Sequence, residues 1–181
     1  ASRSTSGSSW SASTSASSSR RPDMVAANPM VCPSCQALNR VPVDRPAVQA
    51  KCGSCHAPLF AGAPLAIDEA GFERHLAKDE IPLLVDMWAP WCGPCRTMAP
   101  MFERAAQQLE PQLRLLKLNV DEAQSVAARY GVRGIPALLL FHLCRLWAQS
   151  AGVQNTDAII RWVRANVPAP INARGECHES R

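Results

Sequence analysis

No stretch of this 181-residue sequence approaches the roughly 18 consecutive apolar residues that cross a bilayer, which argues against a membrane protein. The N-terminus lacks the apolar core of an export signal, so no signal peptide is expected. A basic stripe interleaved with aromatics is also missing, and acids and bases are interleaved after residue 67. The net charge of +4 therefore gives little support to nucleic-acid binding. Large apolar side chains are scarce across 30–60, where Leu38, Val41, Val43, Val48, Leu59 and Phe60 are nearly all there is. A segment with so little to bury cannot hold a fold without a staple. Residues 1–29, which open ASRSTSGSSWSASTSASSSRRPD, have almost nothing to bury and are expected to be a disordered Ser-rich extension. Their acid-poor, Ser- and Arg-containing composition faintly resembles a transit peptide. Trp10, Ala12 and Ala16 are too few for an amphipathic helix.

Cysteine is what the sequence has in quantity. Six of its eight cysteines fall in three C-x-x-C pairs, Cys32/Cys35, Cys52/Cys55 and Cys92/Cys95. Such close pairs suit metal clamping or redox exchange better than long staples, and they fit a reducing cytoplasm. Cys32-x2-Cys35-x16-Cys52-x2-Cys55 has zinc-ribbon spacing. Four thiolates at tetrahedral corners satisfy one Zn²⁺ and leave no open position, so the site reads as structural. Two disulfides, or a second redox pair, remain as rival readings. Cys52-Gly53-Ser54-Cys55-His56 also satisfies the c-type haem signature, which would leave Cys32 and Cys35 unexplained. The expected organisation is a zinc ribbon over 30–60, a linker over 61–66, an α/β domain over 67–167 and a flexible tail over 168–181.

From Ile67 the pattern alternates between helix and strand, in the order βαβαβαββα. Asp68 can cap a helix through Phe72 and Leu76, and IPLLVDMW (81–88) reads as a buried strand. A helix follows CGPC with Met98, Phe102, Ala105 and Leu109 on one stripe and Pro100 bending it. Strands are expected at 114–120, 137–141 and near 146–151, with a short helix ending at Tyr130–Gly131. The last helix is capped by Asn155 and turns Ile159, Ile160, Val163 and Val167 inward.

The third C-x-x-C therefore sits between a buried strand and a helix N-terminus. Unpaired N–H groups there stabilise a thiolate, the nucleophile of disulfide exchange. Cys92, the outer cysteine, is expected to attack, and Cys95, one turn inward, to resolve the mixed disulfide. Gly93 allows the tight turn, and Pro94 suits the opening of a helix. Asp86 interrupts an apolar strand six residues earlier. A buried acid there is expected to have a raised pKa and to take the proton of Cys95; an exposed edge position is the alternative. Lys117, alone among leucines, is its expected charge partner.

The words WAPWCGPCRTMAPMFE, KLNVDE and YGVRGIPALLLF resemble those of thioredoxins over residues 67–167. With the preceding ribbon, residues 30–167 resemble the zinc-containing bacterial thioredoxin 2 family. The resemblance implies a mixed sheet flanked by helices, a cis peptide before Pro136, and backbone bonds from Ile135 to substrate. It also implies a docking rim that includes Trp91 and Gly134, with Trp88 as support. The implied activity is reduction of protein disulfides, with electrons passing from NADPH through thioredoxin reductase. No nucleic-acid or membrane partner is expected, and the chain is expected to be a monomer. A zinc-dependent sensor or interaction protein, and an oxidase or isomerase on the same fold, are the alternatives. One departure stands out: His142-Leu143-Cys144-Arg145 replaces the Gly- or Asn-rich turn between the last strands, so that hairpin should be strained or rebuilt. Cys144 and Cys177 read as passive free thiols.

Overall fold

The computed structural model describes residues 27–42 and 46–167. Two strands, β1 (Ala27–Val31) and β2 (Leu38–Pro42), pair antiparallel and begin the ribbon, so its first strand starts inside the expected extension. Next come β3 (Leu65–Ile67), α1 (Glu69–Lys78), β4 (Leu83–Trp88), α2 (Gly93–Leu109), β5 (Arg114–Asn119) and α3 (Gln124–Arg129). The chain closes with β6 (Ala137–His142), β7 (Arg145–Ala151) and α4 (Thr156–Asn166). The linker expected over 61–66 gives its last two residues to β3, an edge strand too short for a period-2 pattern to show. The C-terminal tail expected over 168–181 lies outside the described residues.

The five strands form one mixed sheet in the order β3-β5-β4-β6-β7. Side chains alternate across a strand, and the sheet uses both faces. Leu84, Leu115, Leu138 and Leu140 meet Met98, Phe102, Ala105, Ile159 and Val163 of α2 and α4. Leu83, Val85, Met87, Leu116, Leu139 and Phe141 meet Phe72 and Leu76 of α1 and Val126 of α3 on the other face. Asp68 caps α1 by accepting the Gly71 N–H at 2.7 Å, and Asn155 caps α4 by accepting the Ala158 N–H at 2.9 Å. Pro100 lies within α2.

The expected strand at 81–88 begins two residues late. Ile81 is buried in the ribbon's own apolar cluster, with Met30, Cys32, Val41, Cys52, Leu59 and Phe60. The Glu80 N–H donates to the Pro29 carbonyl at 3.0 Å, and Arg74 donates twice to the Gln36 carbonyl. Ribbon and α/β domain thus share a core and hydrogen bonds.

The last hairpin keeps a two-residue turn, with Leu143 and Cys144 at φ 48° and 62°. That conformation costs an L-residue with a Cβ about 1–2 kcal/mol, because Cβ crowds the following carbonyl. Leu143→Asn is expected to stabilise the protein by about 1 kcal/mol, since asparagine tolerates the left-handed region. The check is a higher denaturant midpoint at unchanged slope. Cys144 is disulfide-bonded, which corrects the expectation of a free thiol there. The turn points its sulfur inward, 3.1 Å from the Leu76 carbonyl oxygen. Cys177 lies outside the described residues.

Candidate functional site

The two ribbon knuckles are built alike. In each, the N–H four residues after the first cysteine returns to that cysteine's carbonyl: Gln36 to Cys32 and His56 to Cys52, both at 3.0 Å. Gln36 and His56 take φ 59° and 61° to close the turn. The N–H groups of Ser34 and Ser54 then point at the Cys32 and Cys52 sulfurs, each at 3.4 Å. Such donors favour thiolate. The N–H of Cys55, then that of Ser54, hold the Cys52 thiol down to about 6. Asn39, which the sequence reading passed over, accepts the Gly53 N–H at 2.9 Å and lies 3.6 Å from the Cys52 sulfur, tying one knuckle to the other. As a polar residue on a short strand it carried no signal of that role.

The sulfurs of Cys32, Cys35, Cys52 and Cys55 all lie within 4.8 Å of one another. The Cys32–Cys55 and Cys35–Cys52 separations are 3.6 Å. A tetrahedron with Zn–S bonds of about 2.3 Å has sulfur–sulfur edges of about 3.8 Å, so the four residues fit one Zn²⁺. Removing zinc is expected to leave these four cysteines open to alkylation, because a thiolate held by the metal is not free to react. Thiol counting before and after chelation checks this; a count unchanged by chelation contradicts it.

In the α/β domain, Cys92 and Cys95 are joined by a disulfide at the start of α2. Cys92 caps the helix, its sulfur accepting the Cys95 N–H at 3.1 Å. Cys92 is 4% exposed and Cys95 2%, and both pack with Ala89 against Trp88, Val120 and Ile135. The Ile135–Pro136 peptide is cis, with the Ile135 carbonyl oxygen 3.8 Å from the Cys92 sulfur. Gly93 and Pro94 form the first turn of α2, and Pro94 is exposed. Gly134 is exposed too, with nothing within 4 Å of where a Cβ would lie. Trp91 is 67% exposed and donates its indole N–H to Asp121 at 2.9 Å. Asp121 was not singled out from sequence, where an acid in a loop is ordinary.

Asp86 is buried in the middle of β4, not at an edge, and neither carboxylate oxygen has a hydrogen-bond partner. Burial pushes its pKa from 3.8 up to about 7, while Lys117 pulls weakly the other way. Lys117 stands opposite Asp86 in the β4–β5 register, yet no ion pair joins them among the described residues. Its ammonium lies 4.7 Å from the centre of the Trp88 ring instead. Lys117 thus acts on Asp86 only from a distance.

A helix-capping cysteine pair beside a cis-proline turn, on a mixed sheet covered on both faces, defines a thiol–disulfide oxidoreductase. The chain belongs to the thioredoxin family: residues 63–165 match the family described as Thioredoxin. Residues 31–57 match the zinc-ribbon family described as Thioredoxin 2, N-terminal. Thioredoxin C-3 of Corynebacterium nephridii is 36% identical over 134 residues, which cover 74% of this chain and 92% of that protein. A thioredoxin of Pseudomonas aeruginosa is 39% identical over 101 residues, covering 56% of this chain and 94% of its own length. Among solved structures, a mutant thioredoxin from Halobacterium salinarum NRC-1 is 30% identical with a TM-score of 0.54. That match covers 61% of this chain and 96% of the other. No helix among the described residues is long and apolar enough to cross a membrane.

Proposed function

We propose that the chain reduces disulfides in other proteins, and that thioredoxin reductase returns it to the dithiol with electrons from NADPH. The Cys92 thiolate attacks one sulfur of the target disulfide, forming a mixed disulfide and releasing a target thiolate. Cys95 then gives up its proton to the Asp86 carboxylate and attacks the Cys92 sulfur. The second target thiolate leaves, and the Cys92–Cys95 disulfide remains. Two electrons have passed to the target. The observation that carries this reading is the Cys92 sulfur itself, set at a helix N-terminus 3.8 Å from the Ile135 carbonyl oxygen. Trp91, Gly93, Pro94, Gly134, Ile135 and cis-Pro136 supply the ledge for an extended target segment. Lys117 tunes Asp86 by its charge. The ribbon zinc, held by Cys32, Cys35, Cys52 and Cys55, is structural, and the setting is the cytoplasm, where dithiols persist.

The test couples the zinc-loaded chain to thioredoxin reductase and NADPH, with a protein disulfide as acceptor. Steady NADPH consumption that needs both proteins is the expected result. A chain that oxidises dithiols but is not reduced by thioredoxin reductase would be an oxidase. Its potential would then lie near about −120 mV, against about −270 mV for a reductant of this kind.

A further inference from the structure

Apart from Asp86 and the cysteines, the buried titratable side chains among the described residues gather in one place: His75, Asp79 and Arg114, exposed by 2%, 4% and 2%. They lie where the ribbon meets the α/β domain. Asp79 accepts the Val31 N–H at 2.6 Å, one residue before Cys32, and pairs with His75 Nδ1 at 2.7 Å. Arg114, the first residue of β5, brings its Nε to 3.5 Å from the same Asp79 carboxylate. Its guanidinium lies 5.0 Å from the centre of the Phe60 ring, and Phe60 packs in one cluster with Cys32 and Cys52.

The carboxylates of the α/β domain, Asp79 and Glu110, act on Arg114 by charge without closing hydrogen bonds to its Nε or Nη2. The nearest carboxylate already serves Val31 and His75, and Glu110 is engaged by the Gly62 N–H at 2.7 Å. A buried guanidinium whose hydrogen bonds are left unmade is costly even beside a carboxylate. Burial pulls its pKa down, and Asp79, Glu110 and Cys32 push back, so a ribbon sulfur already lies within electrostatic reach. Four thiolates around one Zn²⁺ form a net dianion.

We propose that Arg114 is the buried counter-cation of the zinc–tetrathiolate centre, which links metal occupancy to the docking of the ribbon on the thioredoxin domain. The inference rests on the zinc reading of the four cysteines. Arg114 touches no reacting atom; it is a positioning residue. Linkage makes the effect reciprocal: zinc supplies charge that stabilises Arg114, and Arg114 stabilises bound zinc by the same factor.

The test uses the full chain, first assayed for metal and then titrated at equilibrium against a chromophoric chelator. Arg114→Met is expected to weaken zinc binding about 10–100-fold, the range for outer-shell partners. Arg114→Lys, which keeps the charge, is expected to stay within about threefold of wild type on the same scale. Denaturation with and without zinc supplies a readout that simple packing would not move. Arg114→Met should lower the midpoint of the zinc-loaded protein clearly more than that of the metal-free protein. Zinc affinity unchanged by Arg114→Met, or equal midpoint losses in both states, overturns the proposal. So does an Arg114→Lys loss as large as that of Arg114→Met, which would assign the effect to shape rather than charge. Should Arg114→Met not fold, Arg114→Gln takes its place with the same thresholds. A wild-type chain without metal overturns the zinc reading itself, and this inference with it, before any variant is made.

Discussion

Serine at position 95 is expected to stop turnover while leaving the first chemical step intact. Cys92 sits at the helix N-terminus, where the Cys95 backbone N–H points at its sulfur from 3.1 Å. That donor belongs to the main chain and survives Cys95→Ser, so the Cys92 thiolate remains stabilised. The resolving sulfur does not survive, and serine oxygen cannot displace a thiolate from a mixed disulfide. Covalent adducts with target proteins should therefore accumulate and vanish on adding a small-molecule dithiol. Steady-state reduction should drop to background, a loss of at least about 10³-fold by the scale on which removing a nucleophile acts. Non-reducing electrophoresis followed by mass spectrometry reads the adducts. Adducts on Cys92→Ser instead of Cys95→Ser would reverse the two roles.

Asp86→Asn should make the protein more stable and slower. The folded carboxyl titrates near about 7 rather than 3.8, because burial disfavours its charged form. Below about pH 3.8 the group is protonated in both folded and unfolded chains and costs nothing. Between about 3.8 and 7 the unfolded chain releases the proton while the folded one keeps it, so wild-type stability falls as pH rises. Above about 7 the penalty is constant, at most about 4 kcal/mol and, after relaxation, about 2–4 kcal/mol. The asparagine variant escapes it, so the stability gain should be absent at low pH and fully developed above neutrality. Denaturant unfolding at a series of pH values measures this. The rate should move the other way. Wild-type reduction is expected to rise through about pH 7 as Asp86 ionises, and the variant should be about 10–100-fold slower with that rise missing. Stopped-flow rates equal to wild type from about pH 6 to 8 would remove Asp86 from the proton path.

Legibility from sequence tracked how local the physics was. The caps at Asp68 and Asn155, the stripe on α2 and the apolar strands β4 and β6 each declare themselves within a few residues, because periodicity and capping are short-range effects. The turn at Leu143–Cys144 was legible for the same reason, as residues that dislike positive φ where a tight hairpin requires it. Strand β3 opens the expected order but was given no residues, since at three residues its place in the sheet comes from pairing with β5 and not from any pattern of its own.

By itself, then, the sequence determined one cysteine quartet, a knuckle pair spaced for metal, and one cysteine pair, a C-x-x-C at a helix start spaced for exchange. Both depend on residues near one another along the chain. The tertiary structure alone decided which distant groups share a low-dielectric interior. It left Asp86 with no hydrogen-bond partner and set the Lys117 ammonium over Trp88. It bonded Trp91 to Asp121 and brought Asp79 and Arg114 beneath the ribbon. Charge–charge and burial effects act through space, and no spacing along the chain encodes them until the sheet has placed β4 beside β5.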